Sequence, residues 1–235
     1  MNKTAFITGA GGYIGTQTAI TLAKEGINIA VCDISEKSVQ ATADKVNAIG
    51  GDAKGYVSDV TDSKAIEAAV QKAAADFGGL DIMVHIAGGS ARIAGGKYVP
   101  LVEQNDSVID RVLKVNLYGA FWASRAAAKI MIKQGRGGKI INFASAVGIN
   151  GLAHCCDYAA SKGGIMSLTK SLAKELGPYK INVNAVAPGV VMRPEEDNSS
   201  ERATKTNYLD EKCTAEDIAN LVAFLASDKA LFITG

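Results

Sequence analysis

A tyrosine and a lysine with helical spacing, Tyr158 and Lys162 in YAASK, are the residues of this sequence best suited to proton transfer. Residues four apart lie on one face of a helix. A phenol with a pKa of about 10 is a poor base near neutral pH, but an adjacent ammonium stabilises the phenolate and lowers that pKa. The pair can therefore take or return the proton of a hydroxyl group. Alone, however, this pattern is more often an ordinary surface pair.

Two polar residues upstream extend the pair into a candidate reaction centre. Ser145 ends the apolar run KIINFAS, 13 residues before Tyr158. Its hydroxyl can hydrogen-bond a substrate oxygen on which charge develops. Asn116 stands in KVNLYG, among small and apolar residues, where an amide is unfavourable unless its hydrogen bonds are used. A strand-ending turn residue at Ser145, and either a buried structural amide or a water-holding relay residue at Asn116, are the alternatives.

The segment TGAGGYIG, Thr8 to Gly15, carries glycines three residues apart between a strand-like run and a helical pattern. A helix that begins there directs free N–H groups toward the loop and can bind a pyrophosphate. Glycine permits the close approach and the positive φ that such a loop needs. A tight turn without a ligand would use the same glycines. The candidate cofactor contacts in this segment are Gly9, Gly12, Tyr13 and Ile14.

An acidic residue, Asp33, follows the glycine loop at a spacing typical of dinucleotide sites. Asp33 ends the second apolar run, 18 residues after Gly15 and just before Ile34. At a spacing of about 20, a carboxylate meets the ribose hydroxyls of a dinucleotide and repels a 2′-phosphate. Neither TGAGGYIG nor CDIS contains a Lys or Arg that would pair with that phosphate. NAD is therefore favoured over NADP. The alternative for Asp33 is a helix N-cap, but Ser35 can serve as that cap.

Apolar runs of strand length alternate with helical patterns along the whole chain. Strands are predicted at 4–9, 27–33, 53–57, 81–86, 139–145 and 180–186, and helices near 14–25, 36–49, 63–77, 103–133, 158–176 and 215–227. This alternation predicts an α/β fold, a doubly wound parallel sheet flanked by helices on both faces. Ligands are then expected at the carboxyl ends of the strands.

The composition predicts one globular domain over residues 1–235. The 235 residues are 48% hydrophobic and carry a formal net charge of +1, without basic clusters. The expected partner is therefore a small molecule. Neither nucleic acid nor a membrane is expected as a partner. The start of the chain has no pattern of a secretion signal, so a cytosolic location is expected. Four cysteines without CxxC spacing predict reduced thiols and no metal site.

Taken together, these motifs resemble the short-chain dehydrogenase/reductase family, over about residues 4–235. Besides the glycine loop, Asn116, Ser145 and YAASK, the sequence shows Asp59-Val60, HIAG at 85–88 and Pro188-Gly189. The resemblance implies a Rossmann-type fold, a catalytic tetrad and a homotetramer. The implied tetrad is Asn116, Ser145, Tyr158 and Lys162. Implied cofactor contacts are Asp59, Val60, Ala87, Gly88, Tyr158, Lys162, Pro188, Gly189 and Val191.

Several positions depart from the pattern of the compact branch of this family. Tyr13 stands where that branch keeps a glycine, His85 and Ile86 replace the asparagines of NNAG, and Arg193 replaces a threonine after the PG turn. The relatives also continue beyond FITG with another strand, so this sequence is expected either to be truncated or to lack that strand. The charged segment 193–212 is predicted either as part of a substrate lid at about 190–212 or as a solvated loop.

Three functions follow from these observations. The first is an NAD-dependent oxidoreductase that interconverts a secondary alcohol and a ketone of a polyol, sugar or hydroxy acid. Loop residues Arg92, Lys97 and His154 favour such a polar substrate. The second is a 3-oxoacyl carrier-protein reductase, because the segment GGKIINFASAVG resembles the corresponding segment of that subgroup. Asp33 and the near-neutral net charge argue against this function. The third is a catalytically silent NAD-binding sensor or scaffold, which the complete tetrad disfavours.

Overall fold

The structure, a computed structural model, describes residues 2–91, 95–193, 207–209 and 211–235. Six parallel strands form one sheet in the order β3-β2-β1-β4-β5-β6. The strands are β1 Thr4–Thr8, β2 Asn28–Asp33, β3 Ala53–Val57, β4 Ile82–His85, β5 Gly138–Phe143 and β6 Ile181–Val186. The strand order reverses between β1 and β4, which is where such sheets bind ligands. The predicted Rossmann-type sheet is confirmed.

Helices connect the strands along most of the chain. They are α1 Tyr13–Lys24, α2 Glu36–Ala48, α3 Ser63–Phe77, α4 Asp106–Leu113, α5 Gly119–Gln134, α6 Val147–Asn150, α7 Cys156–Leu176 and α8 Ala215–Ala226. Short 3₁₀ turns lie at Leu101–Glu103, Gly177–Tyr179 and Asp228–Ala230. In the part of the chain that the structure describes, none of the helices combines the length and the apolar character that a membrane span requires.

Alternate residues of the strands pack into two apolar cores, one on each face of the sheet. Ile7 and Val31 face the core shared with α1, α2 and α8, whereas Phe6 and Met83 face the core shared with α3, α5 and α7. Because both faces are covered, the strands are nearly continuous apolar runs. Full burial of such a side chain contributes about 1.5–3 kcal/mol. This burial on both faces fixes the carboxyl edge of the sheet, where the candidate site lies.

The helix boundaries follow local capping chemistry. Ser35 accepts a hydrogen bond from Ser38 N at the start of α2, and Thr214 forms a capping box with Asp217 at the start of α8. Gly78 ends α3 with a left-handed φ of 79°. Side-chain acceptors at the first turn and glycine after the last turn satisfy the backbone groups that a helix leaves unpaired.

One predicted helix is divided in the structure. The sequence predicted a helix over 103–133, but the helical segment begins at α4 and is interrupted by a π-helical turn, Lys114–Tyr118, before α5. At Gly119 the backbone passes so close to the sheet edge that a Cβ would lie 3.1 Å from atoms of both His85 and Val60. Asn116 is carried by this π turn. Such single π turns occur often at functional sites.

Candidate active site

The glycine loop joins β1 to α1 at the centre of the carboxyl edge of the sheet. Gly9 has a φ of 66°, and a Cβ there would lie 2.6 Å from Ala87 N, so the loops after β1 and β4 are in close contact. Gly12 precedes α1 and offers no side-chain cap. The first-turn N–H groups, including those of Tyr13 and Ile14, therefore face the cleft with the positive end of the helix dipole. This arrangement suits an anion such as a pyrophosphate.

Asp33 ends β2 beside the glycine loop. Its Oδ2 accepts a hydrogen bond from Gly11 N at 3.1 Å, and its Oδ1 accepts one from Ser35 N at 3.2 Å. A carboxylate has about four lone-pair sites, so acceptor capacity remains for the hydroxyls of a ligand. Ser35, rather than Asp33, caps α2. The next residue, Ile34, is 59% exposed and also lines the cleft.

Asp59 and Val60 follow β3 at the outer end of the same cleft. Asp59 Oδ1 accepts hydrogen bonds from both the backbone N and the hydroxyl of Thr61, each at 2.8 Å, and its Oδ2 lies 3.5 Å from Arg111 Nη1. Burial acts to raise the pKa of Asp59, but the Thr61 hydrogen bonds and the Arg111 charge outweigh it and hold that pKa below its usual value. Asp59 is therefore an ionised carboxylate with a neighbouring cation.

His85 ties the two central strands together where they end. Its Nδ1 lies 2.9 Å from Thr8 Oγ1, and Ala87 N donates to the same hydroxyl at 3.3 Å. Burial lowers the pKa of His85 to about 3, so its ring is neutral at physiological pH. Within the described ranges, His85 Nε2 is a buried side-chain nitrogen without a hydrogen-bond partner. Thus His85, and not an asparagine, supports the junction of β1 and β4 in this chain.

Three predicted site residues meet at the other side of this junction. Ser145 follows β5, and its hydroxyl accepts a hydrogen bond from Val147 N at 3.2 Å and lines the same cleft as Tyr158 of α7. Lys162, one turn further along α7, has its Nζ 5.6 Å from the centre of the Tyr158 ring. That Nζ donates to the carbonyl of Phe143 at 2.6 Å, and the lysine is only 4% exposed. A serine hydroxyl, a phenol and a buried amine therefore share one wall of the cleft.

Burial dominates the titration of the phenol and the amine. It raises the pKa of Tyr158, and the hydrogen bond from Ser145 opposes this rise only in part. It also lowers the pKa of Lys162 to about 7, so the amine is only partly protonated near neutral pH. The sequence-based expectation that Lys162 lowers the pKa of Tyr158 is therefore wrong for this structure. The reason is that burial of the phenol itself determines the direction of the shift.

Asn116 fixes the loop that follows β4. Its Oδ1 accepts from Gly89 N at 2.8 Å, while its Nδ2 donates to Gly89 O at 2.9 Å and to Ser161 Oγ at 3.0 Å. The side chain is fully buried. A Cβ at Gly88 would lie 3.2 Å from Lys162 Nζ, so this loop passes directly beside the amine. Asn116 thus holds the loop after β4 against α7.

The segment after β6 closes the cleft on its last side. Ala146 N donates to the carbonyl of Pro188 at 3.0 Å, and Val191 pairs with Cys213 in an isolated parallel bridge. Pro188, Gly189, Val191 and Arg193 all line the cleft. Most of the lid predicted at about 190–212 lies outside the described residues. The loop residue Arg92 also lies outside them.

A single cleft of about 570 Å³ connects these groups. Its lining includes Gly9, Gly12, Tyr13, Ile14, Asp33, Ile34, Asp59, Val60, Ala87, Gly88, Ser145, Tyr158, Lys162, Pro188, Gly189 and Val191. The volume lies within the range of small-molecule and cofactor sites. These donor and acceptor groups fit a nicotinamide dinucleotide. The start of α1 offers N–H groups to a pyrophosphate, and Asp33 offers acceptors to ribose hydroxyls.

Comparisons with known proteins agree with this geometry. A family model described as enoyl-(acyl carrier protein) reductase matches residues 9–235. The short-chain reductase protein NovJ of Streptomyces niveus is 38% identical over 98% of this chain and 89% of its own length. The 3-oxoacyl-[acyl-carrier-protein] reductase FabG of Thermotoga maritima is 35% identical over 99% of this chain and 94% of its own. This chain belongs to the short-chain dehydrogenase/reductase family. The crystal structure of NAD⁺-bound xylitol dehydrogenase matches it with a TM-score of 0.90 and 31% identity, over 99% of this chain and 95% of that one.

As a member of the short-chain dehydrogenase/reductase family, the chain is an oxidoreductase that acts on alcohol or keto groups. The specific roles of the cleft residues remain predictions. Lys97 and His154, which were expected near the site, are exposed and are not part of the cleft lining. All four cysteines are free, and the described ranges contain no group of three or more His, Cys, Asp or Glu side chains suited to a metal ion.

Some residues of the cleft were not predicted from the sequence. They include Ser58, Arg111, Val115, Phe143 and Ala144. Phe143 acts through its backbone carbonyl, which every residue type possesses, so no sequence signal marks it. Arg111 had a signal that was not used, because it lies four residues before Val115 on the helical segment that carries Asn116.

Proposed function

We propose that this member of the short-chain dehydrogenase/reductase family is an NAD-dependent dehydrogenase that interconverts a secondary alcohol and a ketone. The substrate class we favour is a polyol, a sugar or a hydroxy acid. The observation that carries the proposal is that Ser145, Tyr158 and the Lys162 amine share one cleft with the uncapped start of α1. Proton-transfer groups thus lie beside a site suited to a dinucleotide.

The preference for NAD rests on Asp33. Its carboxylate faces the cleft and would repel a 2′-phosphate, whereas it accepts hydrogen bonds from a free ribose diol. Arg111, a cation that lines the cleft, is engaged with Asp59 at 3.5 Å rather than placed beside Asp33. The NAD⁺-bound state of the similar xylitol dehydrogenase supports the same preference.

Each side chain of the reaction centre has a separate role in the proposed reaction. When bound, the nicotinamide supplies or accepts the hydride. Tyr158 gives its phenolic proton to the carbonyl oxygen during reduction and takes it back during oxidation. Ser145 hydrogen-bonds the same substrate oxygen and thereby orients it. Lys162 lies beneath the phenol, and Asn116 holds the adjacent loop in place.

A polar substrate is supported by the groups around the reaction centre. Arg193 lines the cleft in the segment after β6, and Ser145 and Tyr158 line the same cleft with their hydroxyl-bearing side chains. The similar structure from a xylitol dehydrogenase, whose title names a polyol, supports the same substrate class.

A second candidate function is a 3-oxoacyl-[acyl-carrier-protein] reductase. The FabG proteins of Thermotoga maritima and Staphylococcus aureus, 35% and 38% identical to this chain, favour it. Cofactor preference separates the two candidates, because Asp33 predicts NAD and a preference for NADPH would support the carrier-protein reductase. A catalytically silent NAD-binding sensor is a third candidate. The meeting of Ser145, Tyr158 and Lys162 in one cleft speaks against it.

Replacement of Tyr158 by Phe tests the proposal. We expect Tyr158→Phe to lose turnover on a panel of polyols, sugar alcohols and hydroxy acids while retaining NADH binding, measured by fluorescence. The phenyl ring preserves the packing but cannot carry the proton. The matched control is Tyr179→Phe, at a tyrosine that is 49% exposed in the 3₁₀ turn after α7. Unchanged turnover in Tyr158→Phe would exclude the assigned role of this residue.

The assembly and location expected for the family are further proposals. A homotetramer predicts a mass of four chains in light scattering coupled to size-exclusion chromatography, and a monomeric mass would contradict it. A cytosolic location predicts that the activity is recovered in the soluble fraction of the native cells without an export step.

A further inference from the structure

Ser58, the residue directly after β3, carries a buried hydroxyl group. The residue is only 6% exposed. Among the residues that the structure describes, the buried side-chain polar atoms without a hydrogen-bond partner are Ser58 Oγ and His85 Nε2. Ser58 lines the cleft, whereas His85 is not part of the cleft lining. Because burial of an unpaired hydroxyl disfavours the folded state, a partner supplied by a ligand in the cleft accounts for this group.

The backbone holds Ser58 at a defined place in the wall of the cleft. Its N–H donates to the carbonyl of Asp33 at 3.0 Å, so the end of β3 is fixed to the end of β2. The next two residues, Asp59 and Val60, line the cleft as well. Ser58 thus stands directly beside the carboxylates of both strand ends, and its hydroxyl belongs to the half of the cleft suited to a dinucleotide.

The groups around Ser58 match a flat base that carries an amino group. Val60 and Val115 contribute apolar surface to the lining. Asp59 Oδ1 accepts two hydrogen bonds from Thr61, but Oδ2 has only the long contact of 3.5 Å with Arg111. Oδ2 therefore keeps acceptor capacity for a donor on the ligand.

The chemistry of adenine determines which edge of the base meets these groups. An ionised carboxylate only accepts hydrogen bonds, and the exocyclic amino group is the one donor that adenine retains in a nucleotide. The amino group is therefore expected to face Asp59. Ser58 adjoins Asp59, and its hydroxyl can accept from the same amino group or donate to the neighbouring ring nitrogen.

We propose that Ser58 is a specificity-determining residue of the cofactor site, whose hydroxyl hydrogen-bonds the amino edge of adenine beside Asp59. The contacts implied by the family resemblance at this place are Asp59 and Val60, so Ser58 adds a third contact that is particular to the serine of this chain. The inference rests on the proposed function, in which the cofactor is NAD. It concerns the binding of the base and not the transfer of a proton.

The test compares NADH with reduced nicotinamide hypoxanthine dinucleotide, which differs only by a keto oxygen in place of the amino group. Dissociation constants of both are measured by fluorescence titration for the wild type and for Ser58→Ala. We expect Ser58→Ala to weaken NADH binding about fivefold, because one hydrogen bond is lost. For the hypoxanthine analogue the change should be less than twofold, since Asp59 repels the keto oxygen and this edge of the base moves away from Ser58.

Thermal melts without ligand distinguish this role from a structural one. Ser58→Ala removes a hydroxyl that has no partner, so its Tm should not fall below that of the wild type. The matched control is Ser124→Ala, at a buried serine of α5 outside the cleft lining, whose Oγ donates to Asn142 Oδ1 at 3.3 Å. This variant should lower Tm by about 2–4 °C and leave both dissociation constants unchanged.

The outcomes separate this inference from the proposed function. An unchanged NADH affinity in Ser58→Ala, an equal loss for both dinucleotides, or a fall in Tm as large as that of Ser124→Ala would each overturn the role of Ser58. None of these results depends on turnover, so the proposed function would stand if Tyr158→Phe still abolishes it. Conversely, inactivity of the wild type on every alcohol would overturn the proposed function alone, whereas a wild type that does not bind NADH would overturn both.

Discussion

The two halves of the cleft are built from different chemical groups. The half after β1, β2 and β3 presents backbone N–H groups at the start of α1 together with the carboxylates of Asp33 and Asp59. The half after β4, β5 and β6 presents the hydroxyls of Ser145 and Tyr158 and the buried amine of Lys162. In the proposed function, the first half binds the cofactor through groups of fixed charge, whereas the second half acts on the substrate through groups that gain and lose protons. Substitutions in the two halves should therefore alter different measured quantities.

After the loss of turnover in Tyr158→Phe, the largest effect is expected at Lys162, also in the second half. Replacement by Met keeps much of the side-chain volume but removes the amine that contacts Phe143 O and lies beside the Tyr158 ring. We expect kcat/KM to fall on the order of 10³-fold, because Tyr158, whose proton transfer contributes about 10²–10⁴-fold, loses the amine that lies beside its ring. Steady-state kinetics with NAD⁺ measures this change.

Lys170→Met is the control for that experiment, because Lys170 lies on the same helix and is exposed. Its activity should equal that of the wild type. A loss of activity at Lys170 as large as that at Lys162 would mean that the charge of α7, and not the buried amine, determines turnover. The distinction between the two halves would then fail.

The second effect is expected in the first half, at Asp33. In Asp33→Asn the charge is lost, and the single carbonyl oxygen cannot accept from Gly11 N, Ser35 N and a ribose diol as the carboxylate can. Hydrogen bonds to charged groups contribute about 1.5–3 kcal/mol, so we expect the preference for NAD over NADP to fall about 10- to 100-fold. The ratio of kcat/KM for the two cofactors measures it, with kcat on NAD less affected.

Asp44→Asn offers a matched control on α2, where Asp44 accepts a hydrogen bond from Gln40. It removes the same charge at an exposed position, so the cofactor ratio should stay constant. If both variants changed the ratio equally, the general charge of this region would determine the preference, and the assignment of Asp33 would be wrong.

Much of the first half was predictable from the sequence, and less of the second. The buried strands appear in the sequence as apolar runs. Gly9 and Asp33 stand at the ends of two of these runs, and the spacing between the glycine loop and Asp33 is typical of a nucleotide site. The π turn that carries Asn116 was not predictable, because it depends on how Gly119 packs against the sheet. Nor was the direction of the pKa shift of Tyr158, since burial is a property of the packed chain and not of the YAASK motif.

A third effect is expected where the halves meet, at His85 between β1 and β4. Burial lowers the pKa of His85 to about 3, whereas in the unfolded chain it is about 6.5. Below pH 6.5 the unfolded state therefore binds a proton that the folded state does not, and stability falls as the pH falls. Relative to His85→Gln, the wild type should lose up to about 1.4 kcal/mol of unfolding free energy per pH unit between pH 6 and pH 4.

Urea denaturation at several pH values measures this slope. The chain contains one other histidine, His154, which is exposed and lies outside the cleft lining. His154→Gln should therefore keep the slope of the wild type. A slope in His85→Gln equal to that of the wild type would show that other groups, and not the buried ring at the junction, determine the acid sensitivity.

The smallest effect is expected at the helix caps, which support the halves without lining the cleft. Thr214 begins α8 next to Cys213, the residue that pairs with Val191 in the second half, and its hydroxyl accepts from Asp217 N. Asp62 begins α3 after the end of β3, in the first half, and accepts from Lys64 N and Ala65 N. Loss of such a cap costs about 0.5–2 kcal/mol, typically about 1 kcal/mol. We therefore expect Thr214→Ala and Asp62→Ala to lower Tm by about 2–4 °C each in a thermal melt.

Since a cap acts on the helix and not on the ligand, neither variant should change the cofactor ratio or kcat at 25 °C. A change of KM in Thr214→Ala alone would mean that the bridge between Val191 and Cys213 transmits the loss of the cap to the substrate half, so that this half is the less rigid of the two.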